Sequence, residues 1–167
     1  MKKIIRSLLL PASVMLASCV GSTQQQEEGF NYIDERFADI QMLRYNVEGF
    51  DALSLQQKTF VYYLQEAALW GRDILFDQNG RYNLEIRRMM EKLYQEYDGD
   101  RECADFKAFE VYLKRLWFSN GIHHHYGSEK FSPEFSREWF VAQTSCSDEI
   151  AEVIFNPEVM PKRVNQA

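Results

Sequence analysis

The three histidines of the chain, His123, His124 and His125, stand side by side. Imidazoles are the side chains most suited to bind a metal or carry a proton near neutral pH. Their spacing limits both jobs. Neighbouring side chains diverge by about 100° on a helix and about 180° on a strand. In extended backbone His123 and His125 share a face and offer two ligands, with Glu129 as a nearby third. A zinc site needs three or four ligands and outer hydrogen bonds to orient them. Three readings stand side by side. One is such a metal site. Another is a polar turn beside Trp117 and Phe118, with one imidazole hydrogen-bonded inside and the others in water. The third is a cleft wall in which Asn120, His123, His124, His125 and Tyr126 present donors and acceptors to a peptide or a domain partner.

Other chemistries find less support. A thermolysin-like hydrolase needs H-E-x-x-H, which puts two imidazoles one helical turn apart beside a carboxylate base. Here each histidine is followed by His or Tyr. Cys103 and Cys146 lack flanking residues that would mark a nucleophile. They are expected to stay unpaired and pack as small apolar side chains. Gly71-Arg72-Asp73 falls inside a helical pattern and is not a phosphate loop. It reads as a solvated helix face or a source of ion pairs to other elements. The Lys and Arg residues are scattered. Phosphate backbones are bound by clustered ones, so nucleic acid is not an expected partner.

The first residues read as an export signal. Lys2, Lys3 and Arg6 precede an apolar run over 7–16, about ten residues where a bilayer span needs about 20. Leu16-Ala17-Ser18-Cys19 then resembles a bacterial lipobox. The resemblance implies a lipoprotein signal peptide over 1–18, cleavage before Cys19, and acylation of that cysteine. Each buried CH₂ of such a lipid contributes about 0.8 kcal/mol to holding the protein at a membrane. The expected location is the cell envelope, lipid-anchored, periplasmic or surface-exposed. Loss of 1–18 shifts the formal charge from −6 to about −9. Residues 19–29 hold the acylated Cys and a polar tether that cannot bury a core.

The elements that must position the histidines lie in 30–167, and their apolar periodicity is helical. Ile33, Phe37, Ile40 and Leu43 suggest a helix over 32–45. Ser54 is placed to cap a long helix ending near Phe76, with Phe60, Leu64, Ala67, Ala68, Gly71 and Leu75 along one side. Asn79-Gly80 reads as a turn, since both residues tolerate positive φ. Ile86, Met89, Met90, Leu93 and Tyr97 face inward from a helix over 84–97. Phe106, Phe109, Leu113, Leu116 and Trp117 do so from one over 105–119. Ser132-Pro133-Glu134 starts a further helix to about Gln143. Ser147-Asp148-Glu149 starts a short one to about Phe155. Pro157 and Pro161 hold the tail irregular. The fold class is mainly α, with about five to six packed helices. An aromatic content of 14% and broad apolar faces suit a piece that packs against something larger.

Several segments carry a likeness. They are G-R-D-I-L-F-D-Q-N-G at 71–80, Y-N-L-E-I-R-R-M at 82–89, V-Y-L-K-R-L-W-F-S-N-G-I-H-H-H-Y-G at 111–127, V-I-F-N-P-E-V at 153–159 and K-R-V-N-Q-A at 162–167. In this order they resemble the bacterial branch of the dipeptidyl-peptidase III family, zinc peptidases of family M49. The resemblance covers about 30–167. It implies an N-terminal piece of a larger two-lobed hydrolase that removes dipeptides from the N-termini of short peptides. In that family zinc is held by the two histidines of an extended H-E-x-x-G-H motif and by a glutamate further on. A glutamate of the first motif is the general base. No position of this chain matches those motifs. The expected catalytic and metal residues of this chain are therefore none. Zinc belongs to the full-length family and is not expected to be bound here. The expected partners are the membrane through lipid on Cys19 and, in the full-length protein, a peptide substrate. The chain reads as a truncated metallopeptidase fragment, inactive alone. The alternative is a small helical envelope lipoprotein that binds a peptide or protein without catalysis.

Overall fold

The computed structural model describes residues 30–160. The expected signal peptide 1–18, Cys19, the tether to residue 29 and the tail 161–167 lie outside the described residues. The order is β1 (Ile33–Phe37), β2 (Ile40–Leu43), a 3-10 turn (Phe50–Ala52), α1 (Leu55–Trp70), α2 (Arg72–Asn79), α3 (Asn83–Glu96), α4 (Ala104–Ser119), α5 (Arg137–Gln143) and α6 (Asp148–Phe155). The fold is mainly α, as its sequence leads one to expect. Among the described residues no helix is long and apolar enough to cross a membrane.

Residues 32–45 do not form the expected helix. They make an antiparallel hairpin in which Ile33 faces Leu43 and Phe37 faces Ile40. The chain reverses through Ala38 and Asp39, with Ala38 at φ 49°, the positive φ that tight hairpin turns require. Apolar residues spaced by four and three are also mirror-placed about this turn, so one pattern serves both structures. Only Phe37 and Ile40 are buried. Two ion pairs hold the hairpin to α4, Glu35 with Lys114 (2.6 Å) and Asp39 with Arg115. Phe37 adds an edge-on contact with Phe118 (centroids 6.4 Å).

The long helix starts as expected. The Ser54 hydroxyl accepts from the Gln57 N–H (3.3 Å), and the Gln57 side chain accepts from the Ser54 N–H (2.9 Å), a reciprocal capping box. It does not run to Phe76. It breaks at Gly71, whose N–H donates to the Ala68 carbonyl (3.0 Å), and α2 begins at once. No residue of α1 is buried, and Trp70 is 83% exposed. Ala67 and Ala68 are exposed as well. In α2 the Asp73 carboxylate bridges Arg87 (2.6 Å) and Arg88 (2.7 Å) of α3. Its hydrogen bonds to Arg88, then Arg87, hold its pKa below the ordinary value. Asn79 ends α2, but Gly80 is extended (φ 172°), so the expected positive φ is not used there.

The core lies between α3, α4 and the segments after them. Phe109 is fully buried and packs against Phe106, Phe135, Trp139 and Phe140 at centroid distances of 5.7–6.3 Å. Such tilted and edge-on pairs add about 0.5–1.5 kcal/mol each beyond area burial. Cys103 caps α4, its sulfur accepting from the Phe106 N–H (3.4 Å). The helix expected from Ser132 begins only at Arg137, capped by Ser136. The intervening chain is irregular because it delivers Phe131 and Phe135 to the core from outside any helix. The Ser136 N–H is held by Asp105 (2.7 Å). Ser147 caps α6 as expected.

Phe109→Ala should cost about 3–5 kcal/mol in urea unfolding, whereas Tyr62→Ala on α1 should change stability by less than about 0.5 kcal/mol. The hairpin clasp should hold only in a middle pH range. Arg115 holds the Asp39 carboxyl below its ordinary value, so that stabilisation is present above the ordinary carboxylate pKa and is lost as pH falls through the lowered one. Glu35 raises the Lys114 pKa above 10.5, so its contribution is present below that value and is lost as pH rises through the raised one. Amide exchange in β1 and β2 should accelerate at both extremes relative to α4. Uniform protection across pH would contradict this.

Candidate functional site

The site begins where α4 stops. Asn120 takes a left-handed conformation (φ 53°, ψ 39°), and its N–H donates to the Leu116 carbonyl. The Gly121 N–H donates to the same carbonyl (3.1 Å). Asn is one of the few residue types that enter this region readily. The chain then forms a short antiparallel turn. The Phe131 N–H donates to the Ile122 carbonyl (2.8 Å), the His124 N–H donates to the Glu129 carbonyl (2.7 Å), and His123 sits opposite Lys130.

The three imidazoles take different places. His123 is buried, His124 half-buried and His125 exposed. The His124 and His125 rings stack, with centroids 4.4 Å apart and an interplanar angle of 30°. His125 also meets the Phe118 ring edge-on (4.9 Å) and lies against Tyr126 (4.1 Å). His124 Nδ1 accepts from the Tyr126 N–H (3.2 Å). Imidazole lone pairs lie in the ring plane, so stacked rings cannot aim both at one ion. Among the described residues no group of three His, Cys, Asp or Glu is placed to hold a metal. These residues do not fit zinc.

Beside the turn lies a cavity of about 230 Å³, lined by Asn79, Asn83 and Ser119 together with His123, His124, His125 and Tyr126. Of the cleft wall expected from the sequence, the histidines and Tyr126 line this cavity. Asn120 does not line it. Its backbone shapes the wall, and its carbonyl accepts from Asn79 Nδ2 (3.2 Å). Asn83 and Ser119 had not been singled out in the sequence. Asn83 is 1% exposed, and its Oδ1 accepts from the Ile122 N–H (3.3 Å). Two glycines make room for it. A Cβ on Gly121 would stand 2.3 Å from Asn83 Nδ2, and one on Gly80 would stand 2.9 Å from it. The fold alone brings Asn83 to Gly121, so no local sequence signal marks it.

Lys130 closes the far side of the turn. Its ammonium, lowered in pKa by burial, donates to the carbonyls of Asn156 (2.6 Å) and Val159 (3.2 Å) just past α6. A cation there also meets the negative end of the α6 dipole. A larger groove of about 940 Å³ runs between α3 and the α5–α6 link, with Cys146 in its wall. Cys103 and Cys146 are both free and half-buried. Burial raises the Cys146 pKa, which keeps the neutral thiol and makes it a poor nucleophile.

Gly121→Ala places a Cβ at φ 154° against the Asn83 amide. It should destabilise the protein by about 1–3 kcal/mol and shift the Ile122 amide resonance. Gly127→Ala, with its nearest contact at 3.9 Å, should stay within about 0.5 kcal/mol of the parent. Equal effects in urea melts would refute the close packing of Asn83.

Compared with protein-family models and with curated proteins, the chain finds no match.

Proposed function

We propose that this chain forms the N-terminal helical portion of a zinc dipeptidyl peptidase of the dipeptidyl-peptidase III type. In this reading it is held at the cell envelope by lipid on Cys19 and has no peptidase activity by itself. The observation that carries the reading is a convergence in space. Within the described residues, the segments 71–80, 82–89, 111–127 and 153–159, whose sequences resemble that family, meet around one turn. Asn79 of 71–80 donates to the Asn120 carbonyl, and Asn83 of 82–89 accepts from the Ile122 N–H. Lys130, just past the histidine run, donates to the Asn156 and Val159 carbonyls of 153–159. Asn79 and Asn83 of two such segments line one polar cavity with the histidines and Tyr126 of a third, and 153–159 is tied to the same turn through Lys130. The uncovered α1 supports the same reading. A long apolar helix with no buried residue is what a helix meant to be covered by a further body looks like. Within such an enzyme the histidines and Tyr126 would shape and line the cleft. The zinc ligands and the general base would come from elsewhere, since no group among the described residues is placed to hold a metal.

A second reading is a small envelope lipoprotein that binds a peptide or protein without catalysis. It is favoured by the closed core, in which Phe109, Leu113, Leu116, Ile122 and Phe140 are fully buried by the chain's own residues.

The purified chain with added zinc should release no dipeptide from a chromogenic dipeptidyl substrate, and zinc-dependent release would overturn the first reading. The frame downstream of codon 167 separates the two. An H-E-x-x-G-H motif there supports the peptidase, whereas a stop codon with stable monomeric folding of 30–167 supports the binding module. In either case Cys19→Ser should abolish palmitate incorporation in a bacterial host, and labelling that persists would remove the lipid anchor from both.

A further inference from the structure

The cavity beside the histidine turn carries an inference that does not depend on the peptidase reading. Two polar side chains in its wall are more than nine-tenths buried, Asn83 at 1% and Ser119 at 6% exposed. Asn83 Nδ2 and Ser119 Oγ have no hydrogen-bond partner in the protein. A buried polar group left in this state costs about 1–3 kcal/mol. Native interiors keep such groups where water or a ligand completes them.

The chemistry of the missing partner follows from the donors. Only Oδ1 of the Asn83 amide can accept from the Ile122 N–H, so the amide orientation is set and Nδ2 is the group left over. An amide nitrogen donates and does not accept. The Ser119 hydroxyl can donate as well. The partner must therefore bring an acceptor oxygen. The lining contains no Lys or Arg, whose charge and multiple donors characterise sites for the doubly charged phosphate group. Carboxylates, with one charge and two acceptor oxygens, can be held by neutral donors. A volume of about 230 Å³ exceeds that of one water, about 30 Å³, and has room for a small organic acid. Exposed His125 and Tyr126 belong to the same wall, which leaves a way in from solvent.

We propose that this cavity is a binding site for a small carboxylate, seated with its oxygens on Asn83 Nδ2 and the Ser119 hydroxyl. The test is an acetate titration of the ¹⁵N-labelled chain, following the Asn83 side-chain amide pair, with sodium chloride as the ionic-strength control. The amide pair should shift saturably with acetate and not with chloride. Ser119→Ala should weaken the apparent affinity about tenfold, since about 1.4 kcal/mol is a factor of ten. Asn83→Asp keeps an oxygen for the Ile122 N–H and replaces the donor with a second acceptor, so it should abolish binding. An unmoved amide pair in the parent, or equal acetate affinity in Asn83→Asp, would show that water alone fills the cavity and would overturn the proposal. If Asn83→Asp does not fold, unchanged affinity in Ser119→Ala overturns it by itself. Inorganic phosphate at matched concentration should leave the amide pair in place, and displacement of acetate by phosphate would overturn the assignment to carboxylates.

Discussion

The buried amide of Asn83 joins parts of the chain that local forces cannot bring together. As the first residue of α3 it is held locally, its N–H donating to the Gly80 carbonyl (3.0 Å). Its side chain reaches the third residue past the end of α4 by accepting from the Ile122 N–H. The contact requires two bare backbone faces, at Gly80 and Gly121. Any side chain on Gly121 would push the amide out, part α3 from the turn and open the cavity wall. One neutral hydrogen bond contributes only about 1 kcal/mol net, yet this one sets where the histidine run starts. The left-handed Asn120, the buried Ile122 and the stacked imidazoles all follow that starting point.

The molecule divides physically into a closed part and an open part. From α3 onward, interlocking aromatic rings fill the interior and leave little surface that calls for a partner. The hairpin is attached mainly by charge, with only Phe37 and Ile40 buried from it. Exposed pairs of this kind are weak, about 0–1 kcal/mol each, and are screened by salt. α1 is anchored less still, touching the rest chiefly through its junction with α2. Cooperative stability should therefore be graded, highest in α4 and lowest in α1 and the hairpin.

Sequence periodicity was most informative where a helix has a buried stripe and a local cap. For α4 it picked out Phe106, Phe109, Leu113 and Leu116, and for α6 the Ser147 cap. It misled where one pattern serves two geometries. Ile33, Phe37, Ile40 and Leu43 fit a helical face and equally a two-residue hairpin, and the turn at Ala38 lacks the Asn-Gly pair that would have announced it. Ser132-Pro133 resembled a helix start because capping is a local preference, whereas Phe131 and Phe135 are placed by a distant core. At the site, the histidines and Tyr126 were legible because rare residue types attract notice. Asn83 and Ser119 were not. A polar residue at a helix end reads as solvated, and its meaning here comes from Ile122, 39 residues away in the chain.

The position of Lys130 has a consequence for the order in which the protein assembles. Its ammonium grips carbonyls at 156 and 159, while Asn79 and Asn83 reach forward to 120 and 122. The histidine turn is thus stitched from both directions by contacts between 26 and 41 residues long in sequence. Closing such loops costs entropy that only the finished contact repays. On the ribosome, where chain emerges at about 5–20 residues per second, α3 and α4 can pair well before residue 159 appears. The Lys130 contacts must wait for it, so the far side of the turn is fastened last.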